Sequence, residues 1–321
     1  MERKRILVTG GAGFIGSHVV EAFLQQGWEV GVLDNLSTGK KENLLSGVPF
    51  YFCDLRDRNE VFRVVREFQP TYISHQAAQA SVPISVRDPI YDAEVNVIGG
   101  LNLLDAARET QVQKILFAST GGAIYGEVPP TQKASEDWPP KPFSPYAASK
   151  LSFETYLHVY KAQYGLPFVI LRYGNVFGPR QDPYGEAGVI AIFIHRLLQG
   201  HSVTLYARKE RGDAGGIRDY IYVEDVAAAN VLAIQRDLEG VFNVGTGIGR
   251  STQQVLQTIA KILAVQPSVE LAGRRPGDLE VSILNPSKLM AYGWFPQVDF
   301  EEGLRRTIEA FRNVIKEKER A

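Results

Sequence analysis

The chain has 321 residues, 45% hydrophobic and 22% charged, with 35 basic and 36 acidic side chains and a formal net charge of −1. That length exceeds one ordinary hydrophobic core, so a large domain with a smaller companion is expected, and the near-neutral, scattered charge argues against nucleic acid as a partner. Cys53 is the single cysteine, which excludes an intrachain disulfide and a cysteine-based zinc site.

Arg5–Thr9 reads as a short buried strand running into Gly10-Gly11-Ala12-Gly13-Phe14-Ile15-Gly16. Glycines at 10, 13 and 16 frame a tight strand-to-helix turn whose backbone can approach a pyrophosphate and leave it at the start of a helix over 17–26. A second strand, 28–33, ends in Asp34, 18 residues after Gly16, with Asn35 next. A carboxylate at that tip is placed for both hydroxyls of an adenosine ribose and repels a 2′-phosphate. The pattern predicts NAD rather than NADP, even with Lys40 and Lys41 close by. Gly10, Gly13, Phe14, Ile15, Gly16, Asp34 and Asn35 are therefore cofactor-binding candidates.

Residues 50–53 form a third strand candidate ending at Asp54-Leu55, where the acid either contacts the adenine edge or caps the following helix. A strand over 71–75 leads into the small-residue turn Gln76-Ala77-Ala78-Gln79-Ala80, which leaves room for a cofactor. Periodicity predicts a long helix over 91–110, with Asn96 among apolar neighbours and in need of a polar partner. A strand over 114–118 delivers Ser119 and Thr120 at its carboxyl end, where open α/β sheets bind ligands.

Ser144-Pro145 is a helix start, with serine as N-cap and proline in the first turn, so Tyr146 and Lys150 share one helix face. A tyrosine that acts as a base near neutrality needs about three units of pKa depression, roughly 4 kcal/mol. Lys150 and the positive helix start are the expected sources.

The glycine turn, acidic strand tip, strand-end hydroxyl and Tyr-x-x-x-Lys helix occur in an order that resembles the extended short-chain dehydrogenase/reductase family. Within it, the chain is similar to the sugar-nucleotide epimerases and dehydratases over essentially its whole length. The resemblance implies a Rossmann doubly wound parallel sheet with a smaller mixed α/β C-terminal substrate domain. It places the NAD-binding part at 1–175 with a returning segment about 219–246, and the nucleotide-sugar part at 176–218 and 247–321.

It also implies residue roles. Tyr146 is the base, Lys150 binds the nicotinamide ribose, and Thr120 or Ser119 is the strand-end hydroxyl, the turn 121–126 being one residue longer than usual. Asp54, Leu55, Ala77, Ala78, Asn96 and Tyr173 lie on the cofactor side, and Asn175 contacts a diphosphate. Arg218, Arg275 and Asp278 hold the nucleotide diphosphate and ribose, with Val189, Ile190 and Tyr206 lining a base pocket. The implied reaction is NAD-dependent interconversion of C4 epimers of a UDP-sugar, UDP-glucose and UDP-galactose or N-acetylated forms, through a transient 4-keto intermediate.

Gly121 and Gly122 stand where the dehydratases of this family carry an Asp-Glu pair, so dehydration is not expected. UDP-glucuronate epimerisation or decarboxylation, with Glu127 nearby, and a nucleotide-sugar dehydrogenase are the alternatives. Ser282 falls where a bulky gate beside the sugar C2 substituent would stand, leaving space for an N-acetyl group. The helices over 91–110 and Pro145–Tyr164 carry Leu101, Leu104, Leu151, Phe153, Tyr156 and Tyr160, from which a homodimer is expected. The histidines 18, 75, 158, 195 and 201 show no metal spacing. No run approaches the ~20 apolar residues of a membrane span, so a cytoplasmic protein without membrane or metal partners is expected.

Overall fold

The computed structural model describes residues 4–184, 188–275 and 277–320. Seven strands form its central sheet: β1 (Arg5–Thr9), β2 (Glu29–Asp34), β3 (Phe50–Phe52), β4 (Tyr72–His75), β5 (Lys114–Thr120), β6 (Phe168–Tyr173) and β7 (Gly240–Val244). They lie in the order β7-β6-β5-β4-β1-β2-β3, every neighbouring pair parallel. The order reverses between β1 and β4, so the loops leaving their carboxyl ends share one crevice.

Side-chain alternation builds the two faces. Ile6, Val8, Leu116, Val169 and Leu171 point into a core shared with Phe23 and Trp28, while Leu7, Ile73, Ile115, Phe117 and Ile170 point into one shared with Phe68 and Phe153. Both faces are covered, which is why these strands read as continuous apolar runs.

Three helices set the site. The first starts at Phe14 rather than at residue 17, because Gly13, in extended backbone, already serves as its N-cap. The expected 91–110 helix is a run of Pro89–Ala93, a π-helical turn Glu94–Ile98 and Gly99–Glu109, with Asn96 inside the wide turn. Pro145–Tyr164 begins at Ser144, whose hydroxyl accepts from the Ala147 N–H at 3.2 Å, and ends on Gly165 at φ 70°.

The second lobe holds strands Gly249–Ser251, Ile217–Tyr222 and Val281–Ser282, with Asn175–Phe177 alongside Ile217–Tyr222. Val203–Tyr206 pairs with Val269–Ala272. Its own core gathers Phe177, Ile190, Phe193, Tyr220, Tyr222, Leu304 and Ile308. The chain returns to the first lobe through the helix Val223–Gln235 and β7. Among the described residues no helix is long and apolar enough to cross a membrane.

Two residues expected at a dimer interface are core instead. Leu104 and Phe153 are fully buried beneath the sheet, whereas Ile90, Ile98, Tyr156, Val159 and Tyr164 are exposed apolar residues of these two helices.

Candidate functional site

The glycine turn is closed at atomic contact. Gly10, at φ 68°, donates its N–H to Leu33 O at 2.8 Å, and a Cβ on it would sit 2.6 Å from Ala77 N. A Cβ on Gly16 would lie 2.0 Å from Gly10 O. The loops after β1 and β4 thus touch through positions that admit no side chain, and the crevice between them is backed by the helix start at Gly13, with Phe14 and Ile15 half-buried beside it. Ala77 and Ala78 line its other edge, the Ala77 N–H donating to Thr9 Oγ1 at 3.3 Å.

At the tip of β2 the Asp34 carboxylate accepts from the N–H groups of Ala12 (3.0 Å) and Leu36 (2.8 Å), and its burial raises its pKa. Those bonds tie the acid to the glycine turn. Asn35 donates to Asp54 at 2.9 Å, and Asp54 is held near pKa 2, foremost by the Arg56 side chain. Asp57, not Asp54, caps the next helix, accepting from Glu60 N–H at 3.1 Å, so the capping alternative for Asp54 falls. Leu55 is buried, its carbonyl accepting from Asn102 at 2.9 Å.

Tyr146 and Thr120 meet: the Thr120 hydroxyl, at the carboxyl end of β5, is close enough to the Tyr146 phenol to lower its pKa. Ser119, on the same face of β5 as Phe117, instead meets the Pro145–Tyr164 helix two turns further on, donating to Glu154 Oε1 at 2.5 Å, which removes it from the catalytic candidates. Alternation along a strand makes this an either-or, since adjacent residues face opposite sides. Lys150 donates to Ala118 O at 2.8 Å and lies 4.6 Å from the Phe117 ring centroid.

The protonation states run against expectation. Burial pushes the Tyr146 phenol up to about 12, over the lowering effect of Thr120, and the Asp92 charge adds to the rise. Burial likewise pulls the Lys150 ammonium down to about 7, opposed by Asp92 and Glu154. Desolvation of the phenolate outweighs what the protein's own groups give back, so a base at Tyr146 needs positive charge brought by a ligand.

Asn96 finds its polar partners within the protein. Its Oδ1 accepts from Gln79 N–H at 2.9 Å, while Nδ2 lies within 3.1 Å of Gln79 O, Asp92 Oδ1 and Ser149 Oγ. It clamps the crevice loop to the Tyr-Lys helix. Tyr173 is buried, its hydroxyl accepting from Asn230 at 2.8 Å and donating to Gln76 at 3.3 Å.

On the second lobe, Arg275 lies 4.5 Å over the Tyr206 ring and donates to Asp278 at 2.9 Å. Arg218 is turned onto the carbonyls of Ile217 (2.9 Å) and Leu279 (2.6 Å), and its deep setting lowers its pKa. Asn175 Oδ1 is buried without a hydrogen-bond partner, facing Gly122. Val189 is half-buried at the start of its helix, whereas Ile190 is packed into the lobe core and leaves the expected base pocket. Ser282 is buried in register with Arg218.

Residues that the sequence reading passed over brace these groups. Glu154 takes a bidentate contact from Arg172, at 3.0 and 2.6 Å, whose guanidinium also donates to Tyr125 at 2.9 Å. Asp219, fully buried, accepts from Thr246 and Gly247 and fastens the return toward β7. Glu154 follows Lys150 by one helical turn and Asp92 precedes Asn96 by the same step, spacings readable in the sequence. Glu127 accepts both Glu280 and Val281 N–H groups and faces Arg274.

Residues 6–245 match the model of the NAD dependent epimerase/dehydratase family. The UDP-glucose 4-epimerase of Mycolicibacterium smegmatis is 43% identical, over 96% of this chain and 99% of that protein. A Thermus thermophilus UDP-glucose 4-epimerase crystallised with NAD is 62% identical, with a TM-score of 0.94 over 96% of this chain and 99% of that one. A Thermotoga maritima UDP-glucose 4-epimerase with UDP-glucose is 46% identical at a TM-score of 0.91, covering 97% of this chain and 99% of that one.

Proposed function

The chain belongs to the NAD dependent epimerase/dehydratase family, and from that premise we propose that it interconverts the C4 epimers of UDP-glucose and UDP-galactose with a retained NAD. The observation that carries the reading is the meeting of Thr120 and Tyr146 at the switch-point crevice, with Lys150 one helical turn behind on the same helix.

The residues fit the cofactor. Gly10, Gly13 and Gly16 leave a backbone cradle that a Cβ would fill, and Asp34 offers carboxylate oxygens at the neighbouring strand tip. Phe14, Ile15, Asn35, Asp54, Leu55, Ala77 and Ala78 complete the binding surface, with Lys150 and Tyr173 toward the reacting end. When bound, NAD supplies a positively charged ring that accepts a hydride from the sugar C4 and returns it.

Thr120 orients the substrate 4-hydroxyl toward Tyr146, and Tyr146 Oη takes its proton and later gives it back. The Lys150 ammonium favours the phenolate. Arg275, Tyr206, Asp278, Arg218, Asn175 and Val189 form the nucleotide anchor that retains the 4-keto sugar while it turns over. Arg218 must leave the Ile217 and Leu279 carbonyls to grip a diphosphate, a charge-assisted exchange. The nucleotide-sugar lobe is read as 176–218 and 247–321, its returning edge falling at Tyr222 where the small-sheet strand ends. The exposed Ile90, Ile98, Tyr156, Val159 and Tyr164 support a cytoplasmic homodimer through the two helices.

Two observations support epimerisation over its rivals. A side chain at Gly121 would meet Leu284 Cδ1 at 2.6 Å and Arg172 O at 3.1 Å, so an acid there would have to displace Leu284. Glu127 is committed to backbone N–H groups rather than free beside a sugar C5 carboxylate. The small side chain of Ser282, in register with Arg218, supports room for a C2 N-acetyl group. The test is proton NMR of the purified protein with UDP-galactose and no added cofactor, repeated with UDP-N-acetylgalactosamine and UDP-glucuronate. UDP-glucose should appear, and Tyr146→Phe should lose about 10²- to 10⁴-fold in kcat while keeping NAD. No 4-epimer from any substrate, or full turnover by the phenylalanine variant, rejects the assignment.

A further inference from the structure

Asp92 is 1% exposed, and only one of its carboxylate oxygens is accounted for. Oδ1 accepts from Gln79 Nε2 at 2.7 Å and Asn96 Nδ2 at 3.1 Å. Oδ2 is buried with no hydrogen-bond partner. An acid in this setting is unfavourable unless a cation answers it.

The cation whose charge Asp92 meets is Lys150, across two packed helices rather than as a contact ion pair. Asn96, held by Asp92, donates to Ser149 Oγ at 3.1 Å, so the Asp92 helix is tied to the lysine's own turn. Lys150 is 3% exposed and gives one hydrogen to Ala118 O. Three groups face it besides, Glu154 on its own helix, His75 from β4 and the Phe117 ring from β5, and Tyr146 stands one helical turn before it. His75 is kept neutral by burial. Glu154 is already bound twice by Arg172 and once by Ser119, so much of its charge is answered there. Asp92 has the uncommitted oxygen.

We propose that Asp92 is a positioning residue whose carboxylate is the counter-ion keeping the Lys150 ammonium charged inside the protein. The inference rests on the reading of Tyr146 and Lys150 as the proton-handling groups. Consistent with it, Asp92 leads the charges that hold the lysine proton on against burial, ahead of Glu154.

The test is Asp92→Asn, in which an amide oxygen still accepts from Gln79 and Asn96 while the charge is gone. The measurement is kcat against pH with UDP-galactose, beside bound NAD and KM. Loss of the negative charge lowers the ammonium pKa, so the alkaline limb should move to lower pH by about one unit, a tenfold change in proton affinity. KM and NAD content should stay within about twofold of the parent. Asp92→Glu, which keeps the charge but displaces the tether, should retain the parent limb. A D92N profile superimposing on the parent overturns the proposal, as does a D92E limb displaced like that of D92N. Turnover by Tyr146→Phe would instead sink the reading beneath it; an unshifted D92N beside an inactive Y146F sinks only this inference.

Discussion

Replacing Gly16 with alanine tests the cofactor cradle at its tightest point. The added Cβ would lie 2.0 Å from Gly10 O, 2.7 Å from Gly10 C and 3.0 Å from Gly11 Cα. All three are backbone atoms, so no rotamer change relieves the overlap. The glycine turn and the helix start at Phe14 must separate instead, and those are the two surfaces proposed to hold the pyrophosphate. Overpacking of this kind costs about 1–3 kcal/mol. If that displacement is felt by the ligand, NAD affinity falls by about 5- to 150-fold. Gly27→Ala is the control: Gly27 has φ 75° and nothing within 4 Å of a new Cβ, so it strains backbone without touching the crevice. Calorimetric titration of NAD into cofactor-stripped protein, with thermal melts of all three forms, separates the cases. NAD binding by Gly16→Ala equal to that of the parent would refute the cradle.

Two further outcomes follow from the geometry. Thr120→Val should lower kcat by about 10- to 100-fold with little change in stability, because it removes the hydroxyl on Tyr146. Ser119→Ala should do the reverse, sparing kcat but costing about 1–3 kcal/mol in denaturant unfolding, as it strips a donor from buried Glu154; equal kinetic loss in both variants would contradict the assignment. His18 and His75 are held neutral by burial, at pKa about 4 and about 3. Their folded values lie below the unfolded value of about 6.5, so the unfolded chain binds more protons and stability falls as pH drops from about 6.5 toward 4. His75→Asn should flatten that slope in urea titrations across the interval, and an unchanged slope would discount the histidine.

Much of the crevice was legible from local spacing. The turn Gly10 to Gly16 needs contacts only between near neighbours and one loop, and Asp34 closes β2, so both sit where the sequence reading placed them. The Ser144 cap and Pro145 fixed the phase of the helix that brings Tyr146 and Lys150 to one face.

What the chain order alone could not decide was direction and environment. Whether Ser119 or Thr120 meets Tyr146 depends on how the Pro145–Tyr164 helix lies along β5, since Ser119 is taken by Glu154 further down that helix while Thr120 reaches Tyr146 at its start. The protonation of Tyr146 and Lys150 depends on how much water the folded lobes leave around them, and burial reversed the expected direction for the phenol. Asp92, distant in sequence from Lys150 and Glu154, joins them only when its helix packs against theirs. Sequence determined the periodic and short-range features because their geometry is set by a few consecutive dihedrals. The tertiary structure decided charge states and side-chain partners because desolvation and Coulomb energy are properties of the assembled surroundings.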